Sequence, residues 1–435
     1  MANITIDRST VVGNVKPMHA VNNGPIKARS DQTRGNFELF RDAGIPYARN
    51  HDASFCASYG GEHTVDVHMI FPNFDADPTD PASYDFILTD EYLKTTLEAG
   101  TKVFYRLGSK IEHEKKKYGT IPPKDFNKWA VICEHIIRHF NEGFADGHNW
   151  NIEYWEIWNE PDLDSDDSAN KRCWGGTAAD YYELYKITAR HLKSCFPNLK
   201  IGGPALAFNT GSWTDNFLAA LTADGKETPL DFFSWHIYAD DPKWVREKAE
   251  LVRKKLDDAG YTKTESILNE WNYVENWDTK FIASIKAIIG MRGAAFTSAC
   301  MCDSQNGSID MLMYYDARPC AFNGLFDFYT YEPLKGYYPF KMFNELYKLG
   351  NAVKTTSDDE HYHVASAING DTCAAMITRF DTADGAVEEK VHIDLDGEYE
   401  VYLLDSDHDC EQTEEIKFPA EISMKPESVI FIRSK

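Results

Sequence analysis

Between about residue 15 and residue 350, short apolar runs alternate with longer amphipathic stretches, and no other feature narrows the fold so far. The runs are Val15–Val21, Tyr47–His51, Lys102–Leu107, Tyr154–Trp158, Ile201–Ala205, Phe232–Tyr238, Ser266–Asn269 and Met311–Tyr315. Between them lie helical patterns such as Phe126–Phe140, Ala178–Cys195, Lys243–Ala259 and Phe281–Gly293. Gly44, Gly100 and Gly260 each stand where a helical pattern gives way to a strand, as glycines that close helices do. Eight strand–helix alternations imply a closed parallel sheet wrapped in helices, an α/β chain folded as a (β/α)8 TIM barrel. A chain of 435 residues suits such a barrel plus a smaller module.

After Gly350 the period changes to two. Val391-His392-Ile393-Asp394-Leu395 and Ser428-Val429-Ile430-Phe431-Ile432 are strand patterns, and Asn369-Gly370-Asp371 and Asp396-Gly397 are turn signals. Residues 351–435 therefore read as a small accessory antiparallel β-sandwich and residues 15–350 as the barrel. Residues 1–14, with Ile4-Thr5-Ile6, read as a strand that joins the sandwich.

Two segments carry chemistry. Tyr154-Trp155-Glu156-Ile157-Trp158-Asn159-Glu160-Pro161 follows the fourth strand, and Ser266-Ile267-Leu268-Asn269-Glu270-Trp271-Asn272 follows the seventh. Each is expected to set a glutamate just past the C-terminal end of its strand, the rim where barrel enzymes keep their catalysts. Strands four and seven face each other across a small barrel, so Glu160 and Glu270 can straddle one bond. Cleaving a glycosidic bond needs such a pair, one carboxyl to protonate the leaving oxygen and one carboxylate to attack the anomeric carbon. Asn159 suits a donor to the sugar 2-hydroxyl, and Pro161 fixes the turn that projects Glu160.

The ordered set of motifs resembles glycoside hydrolase family 39, the family of β-xylosidases and α-L-iduronidase, within the large clan of retaining (β/α)8 glycosidases. Its pieces are Arg49-Asn50-His51, the run Pro122 to Trp129, Glu156 to Leu163, Gly202-Gly203-Pro204 and Ser234-Trp235-His236-Ile237-Tyr238. The likeness covers most of residues 15–350, and the C-terminal sandwich completed by an N-terminal strand fits the family's layout. The resemblance makes Glu160 the acid/base and Glu270 the nucleophile. It places His51, Asn159, His236 and Tyr238 around the non-reducing sugar, with Tyr238 donating to Glu270. Tyr315 falls near a position where the xylosidases carry a tryptophan floor. Trp174 and Trp271 divide between a core role and a sugar platform. The chain departs from the family at Trp235, where the xylosidases have arginine. It departs again at Tyr314-Tyr315-Asp316-Ala317-Arg318-Pro319, where they have a Trp-Thr-Phe-Ser-Asp run; Asp316 is expected to accept from the sugar there. The resemblance implies an exo-acting retaining hydrolase of short β-linked oligosaccharides, with β-xyloside favoured. The alternatives are another neutral glycoside (galactoside, glucoside or arabinoside) or a carbohydrate-binding protein without catalysis. A binding protein has no reason to keep both carboxylates.

Other classes recede on charge and motif. The net charge of −24 opposes nucleic acid and anionic membrane surfaces, so neither is expected as a partner. Nine cysteines without a framework fit a reducing compartment, and the N-terminus lacks the pattern of a secretory signal, which gives a cytoplasmic expectation. No cofactor is expected. Glu134-His135-Ile136-Ile137-Arg138-His139 has its glutamate before the first histidine, where a zinc-protease motif has it after. The acidic run Asp162 to Asp167 has aspartate where a calcium loop needs glycine. No metal is expected, and the sequence leaves the oligomeric state open.

Overall fold

The computed structural model describes residues 1–52, 54–56, 60–208 and 211–434. Strand β1 (Ala2–Asn14) comes first, then β2 (Ala20–Asn22) and β3 (Tyr47–Asn50). A short ribbon of β4 (Ser54–Cys56) and β5 (Gly60–His63) follows. Next come β6 (Lys102–Leu107), β7 (Tyr154–Ile157), β8 (Lys200–Leu206), β9 (Phe232–Ala239), β10 (Glu265–Tyr273) and β11 (Met311–Tyr314). Strands β2, β3 and β6 to β11 close into an eight-stranded barrel in which every pairing is parallel. Each of the eight sequence runs overlaps a barrel strand, the first only at Ala20 and Val21, and the α/β class and TIM-barrel architecture follow the sequence reading.

The barrel interior is layered by side-chain alternation. Ala20, Tyr47, Phe104, Tyr154, Phe232, Ile267, Met311 and Met313 fill its lower half as one apolar cluster. Phe104 stacks on Tyr154 with ring centres 5.2 Å apart, and Phe232 meets Phe104 edge-on at 5.1 Å. Two residues further along the same strands, alternation returns to the interior with Asn22, Arg49, Arg106 and Glu156, all fully buried. An apolar plug therefore sits under a polar layer, and the polar layer supports the rim.

The outer helices follow their local signals. In helix Phe126–Glu142, Asp125 caps the start by accepting from the Asn127 and Lys128 amides, and Gly143 ends it at φ 80°. Trp129, Ile132, Cys133, Ile136, Ile137 and Phe140 form its buried stripe. Thr177 and Asp180 make a reciprocal capping box on helix Ala178–Cys195. Gly44, Gly100 and Gly260 have φ of 62°, 83° and 88°, the left-handed backbone that a helix-closing glycine supplies. The single helix expected over Phe281–Gly293 is instead two, Phe281–Ile288 and Met291–Asn306, bent by 77°. The extended backbone of Gly290 starts the second helix, and Gly293 packs so tightly on the Ile288 backbone that a Cβ there would lie 2.4 Å from the Ile288 carbonyl oxygen.

Helix Met291–Asn306 is buried around almost its whole circumference and lies between the barrel and the C-terminal sheet. Its glycine, alanine, serine and cysteine side chains let both layers approach, and its Ser298 hydroxyl bonds that of Thr378. The sheet comprises β1, β12 (Asn351–Ser357), β13 (Tyr362–Asn369), β14 (Thr372–Phe380), β15 (Glu389–Leu404), β16 (Asp409–Met424) and β17 (Glu427–Ser434). Its pairings are antiparallel except one: β1 also runs parallel to the start of β15, with Ile4 opposite Ile393. That contact curls the sheet around Ile4, Ile6, Ile377, Val391, Tyr399 and Ile430. No single helix among the described residues is long and apolar enough to cross a membrane.

Adding one methyl group at the helix break tests this packing. Gly293→Ala should lower stability by about 1–3 kcal/mol through overpacking, read as a lower urea midpoint at unchanged slope. An unchanged midpoint would mean the two helices do not meet as described.

Candidate active site

The two glutamates reach the rim by different backbone routes. β7 ends at Ile157, and the chain then enters left-handed backbone at Trp158 (φ 75°) and again at Glu160 (φ 46°). Side chains other than glycine rarely adopt this region, and surrounding structure must hold it. The Glu160 amide is held by the Ala205 carbonyl at 2.9 Å, and the Trp158 amide by the Leu107 carbonyl at 2.6 Å. Glu270 lies inside its strand rather than past it, because β10 continues four residues beyond the expected end at Asn269. Trp271, Asn272 and Tyr273 pair with Ile237, Tyr238 and Ala239 of β9. A register shift between Leu268 and Glu270 breaks strict alternation, so that Asn269 and Glu270 both serve the interior.

Beneath the pair lies a buried charge. The Arg49 guanidinium is fully enclosed. Its Nε donates to Glu156 Oε2 at 2.7 Å, its Nη1 to Asn22 Oδ1 at 3.2 Å and its Nη2 to Asn159 Oδ1 at 2.6 Å. Its Nη1 is also 3.5 Å from Glu270 Oε2. Asn269 donates to the other oxygen of Glu156. One arginine thus ties the first, second, fourth and seventh strands of the barrel together and touches the residue on each side of the chemistry.

The carboxyl groups converge on His236. Its Nδ1 is 2.9 Å from Glu160 Oε1 and 3.6 Å from Glu270 Oε2. One oxygen of each glutamate and one His236 nitrogen all lie within 4.8 Å of one another. The Tyr238 hydroxyl donates to Glu270 Oε1 at 2.7 Å, and the Cys173 thiol to Glu160 Oε2 at 3.7 Å. Burial pushes Glu160 up to about 7, against the pull of Arg49 and Cys173. Burial raises Glu270 as well; His236, Arg49 and the Tyr238 hydrogen bond oppose that rise, while Glu160 adds to it. Burial takes His236 down to about 4, so its ring is neutral near pH 7.

The remaining expected residues divide. His51 is buried, and its Nδ1 receives Arg106 Nε at 3.2 Å. Arginine only donates, so Nδ1 accepts and Nε2 carries the proton of the neutral ring. Arg106 is anchored in turn by Asp66. Tyr315 donates to Asp52 Oδ2 at 2.5 Å, and the Arg318 guanidinium donates to the Asp52 carbonyl at 3.0 Å. The Asp52 carboxylate adds to the upward push on Glu160. Glu160, Glu270, Asn159, His236, Tyr238, His51 and Tyr315 therefore belong to one connected rim.

Three expectations need correction. Asp316 does not offer an acceptor to a sugar: it is buried, with Oδ2 taken by Asn23 at 2.9 Å and Oδ1 by the Arg318 amide at 2.7 Å. Trp271 is fully buried on the outer face of its strand, edge-on to Tyr314 with ring centres 5.7 Å apart and beside Phe296. Trp174 is buried edge-on against Trp158 and Tyr181 and gives its indole N–H to the Thr177 carbonyl. Both tryptophans are core. The acidic run is also spoken for: Asp162 accepts from the Ala207 and Phe208 amides, and Asp164 grips Arg172.

Sequence reasoning passed over several residues that matter here. Arg49 and Glu156 were legible as lone charges inside apolar strands, Tyr47-Ala48-Arg49 and Trp155-Glu156-Ile157, which must find each other once buried. Asp52 and Cys173 carried no such signal. Nor did Trp277, which is 59% exposed above Tyr238 with ring centres 4.9 Å apart, or Phe322, which bridges Tyr238 and Tyr315 at 5.7 Å each.

Residues 54–260 match the family Glycosyl hydrolases family 39. A beta-xylosidase of Geobacillus stearothermophilus is 36% identical over 125 residues, 28% of this chain and 22% of that protein. A beta-xylosidase of Caldicellulosiruptor saccharolyticus is 30% identical over 202 residues, 41% of this chain and 38% of that protein. The matched stretches thus span well under half of either relative. The crystal structure of a glucosidase from Croceicoccus marinus superposes with a TM-score of 0.81 at 23% identity, covering 100% of this chain and 98% of that one, a likeness of fold. The matched stretch, just under half of the chain, holds Glu160, His236 and Tyr238 and ends before Glu270, and by it the chain is similar to glycosyl hydrolases family 39.

Proposed function

We propose that the protein is a retaining, exo-acting glycosidase in which Glu160 is the acid/base and Glu270 the nucleophile. The observation that carries this reading is the close, unequal pair. Their nearest oxygens are no more than 4.8 Å apart. Retaining enzymes hold their carboxyl groups roughly 5–5.5 Å apart, and inverting ones about 6.5–9.5 Å, to make room for water. The environments differ in the direction the roles require. Among the described residues no arginine forms an ion pair with Glu160, and burial pushes it up to about 7, so it holds a proton to give. Glu270 has Arg49 3.5 Å away and a Tyr238 hydrogen bond, both of which favour the carboxylate.

In the first step a Glu270 oxygen bonds the anomeric carbon as the bond to the leaving oxygen breaks, and the Glu160 proton passes to that oxygen. In the second, Glu160 takes a proton from water, water bonds the anomeric carbon, and Glu270 leaves as carboxylate. Arg49 holds the Asn159 carbonyl oxygen, which leaves the amide –NH2 for a sugar hydroxyl. Trp277 and Phe322 offer apolar ring faces at the rim for a pyranose or its aglycone.

For the sugar, β-xyloside is favoured because two relatives matched in sequence are beta-xylosidases. β-Glucoside is the second reading, supported by the full-length likeness in fold to a glucosidase. The first test is the pH profile. Only protonated Glu160 donates, so kcat/KM should fall as pH rises through about 7. His236, already neutral above about 4, adds nothing to that limb. Glu160→Gln should lose the limb and lose most rate on poor leaving groups; a limb that persists would put the acid elsewhere. The second test is a panel of aryl β-glycosides. The xyloside should have the highest kcat/KM, and a glucoside cleaved faster would replace the sugar assignment while leaving the two carboxyl roles standing.

A further inference from the structure

Three side chains outside the catalytic cleft converge on the flank of the barrel. Asp90 lies in helix Ile87–Glu98, His139 in helix Phe126–Glu142, and His148 in the loop that leads to β7. The loop folds back so that the His148 amide donates to the His139 carbonyl at 2.6 Å. His139 is buried, and its Nδ1 is 2.7 Å from the Phe144 carbonyl oxygen. A carbonyl only accepts, so Nδ1 carries a proton and the neutral ring turns the lone pair of Nε2 outward. That lone pair meets Asp90 Oδ1 at 2.9 Å. At this distance a proton or a cation lies between the two atoms. The other Asp90 oxygen is 3.3 Å from His148 Nε2, a buried nitrogen that makes no hydrogen bond among the described residues.

The two rings are held in place before any ligand arrives. Phe86 stacks on His139 at 3.5 Å and Trp150 on His148 at 3.8 Å, with the imidazoles at 84° to each other. The backbone carbonyl on His139 Nδ1 is the outer-shell contact that ligating histidines usually make. We infer that Asp90, His139 and His148 bind a divalent transition metal, zinc best of all, with water in the fourth position. Tetrahedral zinc at about 2.0–2.1 Å from each donor sets the donors roughly 3.3 Å apart. The three donor atoms already lie within 4.8 Å of one another, and the Asp90 side chain and the loop residue His148 are each 30% exposed, open to an ion and free to adjust. Among the described residues no lysine or arginine hydrogen-bonds Asp90. The comparable trio Glu134, His191 and Cys195 differs in that Arg138 already pairs with Glu134 at 2.8 Å. In the catalytic trio Arg49 stands 3.5 Å from Glu270. The bound ion would pin the 143–150 loop to both helices.

Titration calorimetry of the full chain, stripped with chelator and given zinc ion alone, tests this. One zinc per chain should bind with micromolar or tighter affinity. His148→Ala and Asp90→Asn should each weaken it at least tenfold, whereas Glu134→Gln and Glu160→Gln should not. Both key substitutions are at partly exposed positions, and circular dichroism checks their folding. Absence of binding to the parent chain would overturn the proposal, as would affinity unchanged in His148→Ala and Asp90→Asn. Loss of binding in Glu160→Gln alone would place the ion in the catalytic cleft and overturn it equally.

Discussion

The site is organised around one buried positive charge. Arg49 is fully enclosed in the barrel, where an unpaired guanidinium would be costly. Glu156 neutralises it at 2.7 Å, and the two asparagines Asn22 and Asn159 each accept one further N–H. Removing one partner from such a pair typically costs about 3–5 kcal/mol, because the other charge stays behind. The geometry above it inherits this rigidity. Asn159 is fixed by it directly, Glu160 follows Asn159 in the chain, and Glu270 feels its charge from 3.5 Å.

The same charge separates two chemically identical side chains. Both glutamates are buried, so both are driven toward the neutral form. The difference lies in contacts. Glu270 receives a tyrosine hydroxyl and stands against the guanidinium, while among the described residues Glu160 receives a thiol and a neutral imidazole. Position across the barrel brings the pair together, and the asymmetry of their neighbours assigns their roles. The left-handed backbone at Trp158 and Glu160 is part of this arrangement, since it turns Glu160 off the strand direction toward Glu270.

How much of this the sequence disclosed depends on the range of the signal. The eight strands and most helices follow local periodicity, and each was legible in chain order. The helix break at Gly290 was not, because the apolar pattern runs on through Ile288 and Ile289 and the bend is set by packing of Met291–Asn306 between two layers. Glu160 and Glu270 were legible because strand order alone puts strands four and seven across from each other. Trp271 and Asp316 were misread for a common reason. Each is adjacent to a rim residue, and the direction of its side chain depends on a bulge or a turn that no local pattern encodes. Asp52 and Trp277 lie in loops, where position is set by tertiary contacts such as the Tyr315 hydroxyl and the Tyr238 ring.

The central claim is that Glu270 forms a bond to the sugar. Incubation with an activated 2-deoxy-2-fluoro-β-xyloside or glucoside slows release of the glycosyl intermediate, and peptide mass spectrometry then locates it. The account predicts one added fluoroglycosyl group per chain, on the peptide that contains Glu270 and on that residue. A label on Glu160, or no label while NMR shows the first-formed sugar to have inverted configuration, would contradict it.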